Sequence, residues 1–226
     1  IMRIIDCFMY FNEDLLLDVR LNVMNQYVDK FVIVESNFTH SGEEKKFNFD
    51  INKFKKFEDK IIYLKIDQKP KNLIQINSSV KEEDIKAIQI QNALILENYQ
   101  RNYITKGIEE FNDEDFIFIS DVDEIPDLSL IDLDKYKNSI VLFKQFFFHY
   151  KFNLFLNDFY FFGSKGCIKK NLISPQWLRN VKGKKYPFYR VDAYFSKKKY
   201  NNVKIVEKGG WHFTNIMDEE KIVYKI

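Results

Sequence analysis

Apolar positions along the chain change their spacing in a way that outlines the fold. Arg3 to Phe8 is a short apolar run and reads as a first strand. Asn12 and Glu13 then open a helix, in which Leu15, Leu16, Val19, Val23 and Tyr27 keep helical spacing. Phe31-Val32-Ile33-Val34-Glu35 is continuous and rich in β-branched residues, the pattern of a strand covered on both faces. A polar loop with Ser41-Gly42 follows, then a third strand from Ile61 to Ile66 and a loop holding Pro70. From Glu82 to Phe111 the apolar residues fall near a 3.6 period, which predicts one long helix closed by Asn112-Asp113. Phe116-Ile117-Phe118-Ile119 is a fourth, wholly apolar strand. Strands alternating with helical stretches predict a mainly parallel sheet with helices on both faces.

Past Pro126 the pattern changes. Leu128 to Tyr136 reads as a short helix, and Ile140 to Tyr150 and Phe159 to Phe162 as aromatic strands with no clear helix between them. Ser174-Pro175 looks like a helix start, with Ser as cap and Pro at the first helical position. Tyr189 to Phe195 and Val203 to Val206 read as strands, Gly209 to Phe213 as a turn into a strand, and Asp218 to Ile226 as the start of a helix. The expected architecture is α/β, in one domain with two halves. Residues 1–126 form a Rossmann-like nucleotide-binding half, and residues 127–226 a mixed, aromatic-rich acceptor half.

Composition refines this picture at three points. The 226 residues carry 46% hydrophobic side chains, enough for a real core. The 23 Phe and 13 Tyr are many, and some of these rings are expected to line a sugar site, since a pyranose stacks its C–H face on an aromatic ring. A net charge of +2 gives no electrostatic footprint for nucleic acid. The two cysteines, Cys7 and Cys167, supply no disulfide framework. No apolar run reaches the roughly 18 residues of a membrane span. The Lys-rich, Asn- and Ile-rich usage is a coding bias that fits a bacterium or a large virus, with a cytoplasmic location then expected, and a lumenal one if the source is eukaryotic.

Chemistry concentrates after the fourth strand, in Ser120-Asp121-Val122-Asp123-Glu124-Ile125-Pro126. Ligands of parallel α/β sheets bind at the carboxyl ends of the strands. Three carboxylates crowded there repel one another unless a cation sits among them. Hard cations such as Mn²⁺ or Mg²⁺ take oxygen ligands and leave positions for phosphate oxygens. On an extended segment residues i and i+2 point the same way, so Asp121 and Asp123 share a side. Arg101 and Asn102, about twenty residues earlier, are placed to reach a diphosphate. Glu35 and Ser36 end the second strand on the same edge, where they can take a base N–H or a ribose O–H; Asn12 and Glu13 end the first-strand loop in that layer. His212 follows Gly209-Gly210 and offers a nitrogen ligand for Mn²⁺.

Taken together, Ile5-Asp6-Cys7-Phe8 with Asn12-Glu13, Val32 to Ser36 with Thr39 and Ser41-Gly42, Gln100-Arg101-Asn102, Ser120 to Pro126 and Gly209 to Phe213 resemble glycosyltransferase family 17. These stretches occur in order across almost the whole chain. The resemblance implies a GT-A fold, a nucleotide-sugar donor such as a UDP-sugar, a glycan or glycoprotein acceptor, and inversion at the anomeric carbon. It brings Asp121 and Asp123 in as the metal and donor motif, to which the turn at Gly209-Gly210 adds His212 as a further expected ligand. Phe8, Asn12, Glu13, Glu35, Ser36, Arg101, Asn102 and Asp121 are then expected on the donor side. An acceptor-side carboxylate must take the proton of the attacking hydroxyl. Asp158, Asp192 and Glu207 are the candidates, with Glu207 favoured because it lies just before the His212 turn. Two rival classes are a sugar nucleotidyltransferase and a non-catalytic carbohydrate-binding module. The first is disfavoured because Met9 to Glu13 holds no glycine for a phosphate loop, the second because it needs no acidic cluster at a strand end.

Overall fold

The computed structural model describes residues 2–77, 80–183, 196, 199 and 202–216, apart from the side chain of Asp158. The expected strands at Tyr189 to Phe195 and helix at Asp218 to Ile226 lie outside the described residues.

Among the described residues nine strands form one mixed sheet. In chain order they are β1 (Ile4–Met9), β2 (Lys30–Ser36), β3 (Ile61–Ile66), β4 (Phe116–Asp121), β5 (Glu124–Pro126), β6 (Ile140–His149), β7 (Phe155–Ile168), β8 (Val203–Val206) and β9 (Gly210–Thr214). The spatial order is β3-β2-β1-β4-β7-β6-β9-β5, with β8 beside β6. The first four strands are parallel, β1 lying between β2 and β4. β7 joins β4 and β6 in antiparallel sense, so one sheet continues through the aromatic half. Helices α1 (Asp14–Met24), α2 (Glu82–Asn102), α3 (Ile104–Ile108) and α4 (Pro175–Asn180) complete the described elements, with a distorted 3₁₀ stretch at Ile51–Lys60.

The continuous apolar strands are explained by the two cores. Successive side chains of a strand point to opposite faces. Phe116 and Phe118 of β4 pack with Leu17, Leu21 and Met24 of α1, while Ile117 and Ile119 pack with Leu96 of α2, Ile104 of α3 and Leu178 of α4. Each fully buried ring or branched chain there contributes about 1.5–3 kcal/mol.

Three details differ from the sequence expectation. The predicted helix from Glu82 to Phe111 is interrupted at Tyr103, whose N–H is shared between the carbonyls of Tyr99 and Gln100, so the chain tightens and restarts as α3. Leu128 to Tyr136 is two 3₁₀ turns, because Asp127 and Asp132 each accept from the amide two residues on and restart the chain. The aromatic strand expected at Phe159 to Phe162 runs from Phe155 to Ile168. Its polar members Ser164 and Lys165 hide the strand signal, yet both are buried and hydrogen-bonded.

Candidate active site

β4 delivers Asp121 to the carboxyl end of the parallel strands. The register runs Asp121–Met9–Val34 across β4, β1 and β2, so Glu35 and Ser36 lie one and two residues beyond the same level. Below the turn from Asp121 to Glu124 sits Arg20 of α1. Its guanidinium grips Asp6 at 2.7 and 2.6 Å, with both side chains fully buried. Its remaining terminal nitrogen donates to the carbonyls of Asp121 at 3.1 Å and Glu124 at 2.6 Å, and reaches that of Val122 at 3.5 Å. The ring of Phe8 lies 4.6 Å from the guanidinium carbon. The loop is therefore held by its backbone, which leaves the Asp121 and Asp123 side chains partly exposed while Val122 and Glu124 are buried.

Two of the three carboxylates in that loop receive guanidinium partners. Asp121 accepts from Arg101 on one oxygen at 3.0 Å and from Arg179 on the other at 2.9 Å. Arg179 also takes both oxygens of buried Glu124, at 2.7 and 2.9 Å, and the Gly163 carbonyl at 2.6 Å. Burial alone raises the Asp121 carboxyl, but the charges of Arg179 and Arg101 outweigh it and hold it below its ordinary value. Glu124 goes the other way: its burial, then the Asp121 charge, keep it above the usual carboxylate range despite Arg179. Lys165 lies behind this cluster, donating to the carbonyls of Arg179 and Val181; burial, then the neighbouring Arg179 charge, lower it to about 8. Arg101 and Arg179 thus supply positive charge to Asp121, and Arg179 supplies it to Glu124.

The third carboxylate is different. Asp123 has no arginine partner among the described residues and faces His212, with 3.5 Å between its oxygen and Nε2. β9 pairs with β5 so that Glu124 stands opposite His212. This close approach needs Gly210, which has φ +124° and whose missing Cβ would lie 2.2 Å from the Ile125 carbonyl oxygen. Nε2 also lies 3.0 Å from the Thr214 hydroxyl, while Nδ1 is buried with no hydrogen-bond partner among the described residues. Burial lowers the imidazole's affinity for a proton, and the Asp123 hydrogen bond and charge overcome this and raise it. Phe161 and Phe147 enclose the ring, with centroids 4.5 and 5.0 Å away. Among the described residues no three His, Cys, Asp or Glu side chains converge as a metal cluster. One carboxylate and one imidazole do converge, a donor pair compatible with a hard divalent cation.

The model of glycosyltransferase family 17 matches residues 1–213. The chain belongs to glycosyltransferase family 17. It is accordingly a glycosyltransferase, and a sugar donor and an acceptor are its partners. No curated protein matches the chain. No helix among the described residues is long and apolar enough to cross a membrane.

In this family 17 enzyme the other expected site residues are distributed unevenly. Arg101 and Asn102 sit at the end of α2, and Asn102 accepts from the Gln176 amide at 3.0 Å, anchoring the first turn of α4. Gln176 accepts in turn from Arg101 at 2.6 Å, so α4 is docked where Arg179 can reach Asp121. Glu35 is fully engaged: Lys45, the amides of Asn48 and Phe49, and the Tyr63 hydroxyl all donate to it. Ser36 donates to the Phe38 carbonyl at 2.6 Å. Phe8 is wholly buried. Glu13 accepts from the amides of Phe11 and Asn12, and Asn12 is exposed. Of the carboxylates considered as base, Glu207 is exposed and paired with Lys144 at 2.8 Å, Asp158 lies on β7, and Asp192 is outside the described residues. Arg20, Arg179, Lys165 and Thr214 were not singled out from sequence. With so few arginines in a Lys-rich chain, Arg20 and Arg179 were the available signal, because a bidentate clamp requires the guanidinium fork.

Proposed function

We propose that this glycosyltransferase moves a sugar from a nucleoside diphosphate donor, a UDP-sugar, to a glycan hydroxyl with inversion, on a GT-A arrangement that uses Mn²⁺ or Mg²⁺. The observation that carries this reading is the pairing of Asp123 with His212 beside the open ends of β1, β2 and β4. Among the described residues Asp123 is the carboxylate of its loop without a guanidinium partner, so it and His212 would hold the metal. Asp121, with both oxygens on arginines, would sit beside the ion and hold Arg101 and Arg179 next to the diphosphate. When bound, the metal neutralises charge growing on the departing diphosphate. The chain's own task is to orient the donor, keep the loop rigid through Arg20 and accept the proton of the attacking hydroxyl. An acceptor-side carboxylate performs that last step, with Glu207 the first to test and Asp158 and Asp192 after it. A base variant loses turnover and keeps donor affinity.

The test is a thermal-shift screen of nucleoside diphosphates and their sugars, with and without Mn²⁺. Ligand bound to the native state raises the midpoint according to RT ln(1 + [L]/Kd). A shift with UDP that needs Mn²⁺ and is absent in Asp123→Ala supports the reading. No shift with any nucleotide overturns the metal-dependent nucleotide-donor reading.

A further inference from the structure

On the face that carries His212, register and ring contacts continue the site outward. Glu124, His212 and Phe147 form one cross-strand row over β5, β9 and β6. The Phe147 ring stands edge-on to His212 at 5.0 Å and edge-on to Phe159 of β7 at 4.9 Å. Phe161, two residues along β7 from Phe159, touches His212 at 4.5 Å. A step of two residues on a strand is about 6.7 Å, close to the width of a pyranose ring. The outer end of this chain of rings is open, since Phe159 is 49% exposed.

Of the other exposed rings of the β6–β7 hairpin, Tyr150 reaches Phe147 only through His149, at 3.8 and then 6.0 Å. Phe152 packs on Phe213, and Phe155 on Phe146 and Phe148. Phe213 belongs to the core on the opposite side of the sheet from His212, as the alternation of strand side chains requires. Phe159 is thus the exposed ring linked to His212 through a single intervening phenyl. Its π-face is electron-rich and suited to the weakly positive axial C–H groups of a sugar.

We propose that Phe159 is the stacking platform for the acceptor sugar, a pyranose laid with its C–H face on the ring. This rests on the donor reading above, which puts the transferred sugar next to Asp123 and His212. An inverting displacement brings the acceptor to the side of that sugar away from the diphosphate, and Phe159, two ring contacts out from His212, is the exposed ring offered to it. The specificity determinant is the apolar face of the acceptor rather than its hydroxyl pattern alone.

Saturation-transfer NMR tests this directly, using methyl β-N-acetylglucosaminide, methyl β-galactoside and methyl α-mannoside as probes with UDP and Mn²⁺ present. The wild-type chain is expected to saturate the ring C–H protons of at least one probe. Phe159→Ala is expected to lower that signal several-fold and Phe159→Trp to keep it, while Phe159→Ala retains the wild-type thermal shift with UDP and Mn²⁺. Equal saturation in wild type and Phe159→Ala overturns the proposal, as does no saturation of any probe by the wild-type chain. If the wild type shows no UDP shift but its saturation is lost in Phe159→Ala, the platform stands and the donor reading falls.

Discussion

Arg20 and Asp6 form a two-pronged ion pair, at 2.7 and 2.6 Å, with neither side chain exposed to solvent. The pair stands under the loop from Asp121 to Glu124 rather than in it, because Arg20 also donates to the carbonyls of Asp121 and Glu124. Removing one partner leaves a buried charge uncompensated, which costs about 3–5 kcal/mol. Asp6→Leu is therefore expected to lose about that much in urea unfolding. Adding Arg20→Met should recover part of it, since an apolar pair of similar volume often replaces a buried ion pair without loss. The double variant still lacks the donors to the loop carbonyls. Its Mn²⁺-dependent UDP shift should stay lost after stability returns, and a recovered shift would show that Arg20 has no part in shaping the loop.

Gly163 supports the same cluster from β7. A Cβ on it would lie 2.2 Å from the Gln145 side-chain oxygen and 2.8 Å from the Glu124 carboxyl carbon. Both neighbours are buried and hydrogen-bonded, so neither moves freely. Gly163→Ala is expected to cost about 1–3 kcal/mol, the usual penalty for overfilling a packed site. Thermal unfolding measures this, and a melting point equal to wild type would mean that the Glu124–Arg179 clamp relaxes easily.

How far the site was legible depends on the kind of contact. Asp121 and Asp123 were readable because an apolar strand ends in a dense acidic run, and the parallel pairing puts Glu35 and Ser36 near their level as expected. β1 to β4 followed from continuous apolar runs in the same way. The partners were harder. Arg179 and Asp121 are far apart in sequence, and nothing local to α4 shows that Arg179 turns toward β4. Glu35 illustrates the reverse error, since a carboxylate at a strand end suggests a ligand contact whereas four donors from Lys45, Asn48, Phe49 and Tyr63 engage it. β7 was read too short because Ser164 and Lys165 look like loop residues until their buried acceptors are known.

Acid sensitivity should have a contribution far from the site. Asp115 is buried and accepts from the Arg3 amide and guanidinium and from the Asn112 amide. Burial alone raises its carboxyl, but these donors and the Arg3 charge outweigh burial and hold it below its ordinary value. A carboxylate with a depressed folded value stabilises the fold above its unfolded value, and that stability is lost as pH falls through the folded value. Asp115→Asn should therefore be less stable than wild type at neutral pH, with the gap closing as pH drops from about 5 toward and below the ordinary carboxylate value. Urea midpoints over that range check the sign, and a gap that widens in acid would contradict it.

The two aspartates of the loop should separate when the metal is withheld. Asp121→Asn removes the charge between Arg101 and Arg179 while keeping the side chain's shape. Because 33% of the Asp121 side chain stays in solvent, screening limits the cost to about 1–2 kcal/mol. That loss should appear in chelator, with no nucleotide present. Asp123→Asn touches no arginine pair among the described residues and faces an imidazole at 3.5 Å whose proton affinity the Asp123 carboxylate raises, so in a buffer alkaline enough to keep His212 neutral its metal-free melting point should stay close to wild type. Its defect should emerge only on adding Mn²⁺ and UDP, as a missing thermal shift. Melting curves of both variants in chelator and in Mn²⁺ with UDP decide the matter. If Asp123→Asn loses as much stability in chelator as Asp121→Asn, Asp123 is a structural partner of His212, and the division of labour between the two carboxylates fails.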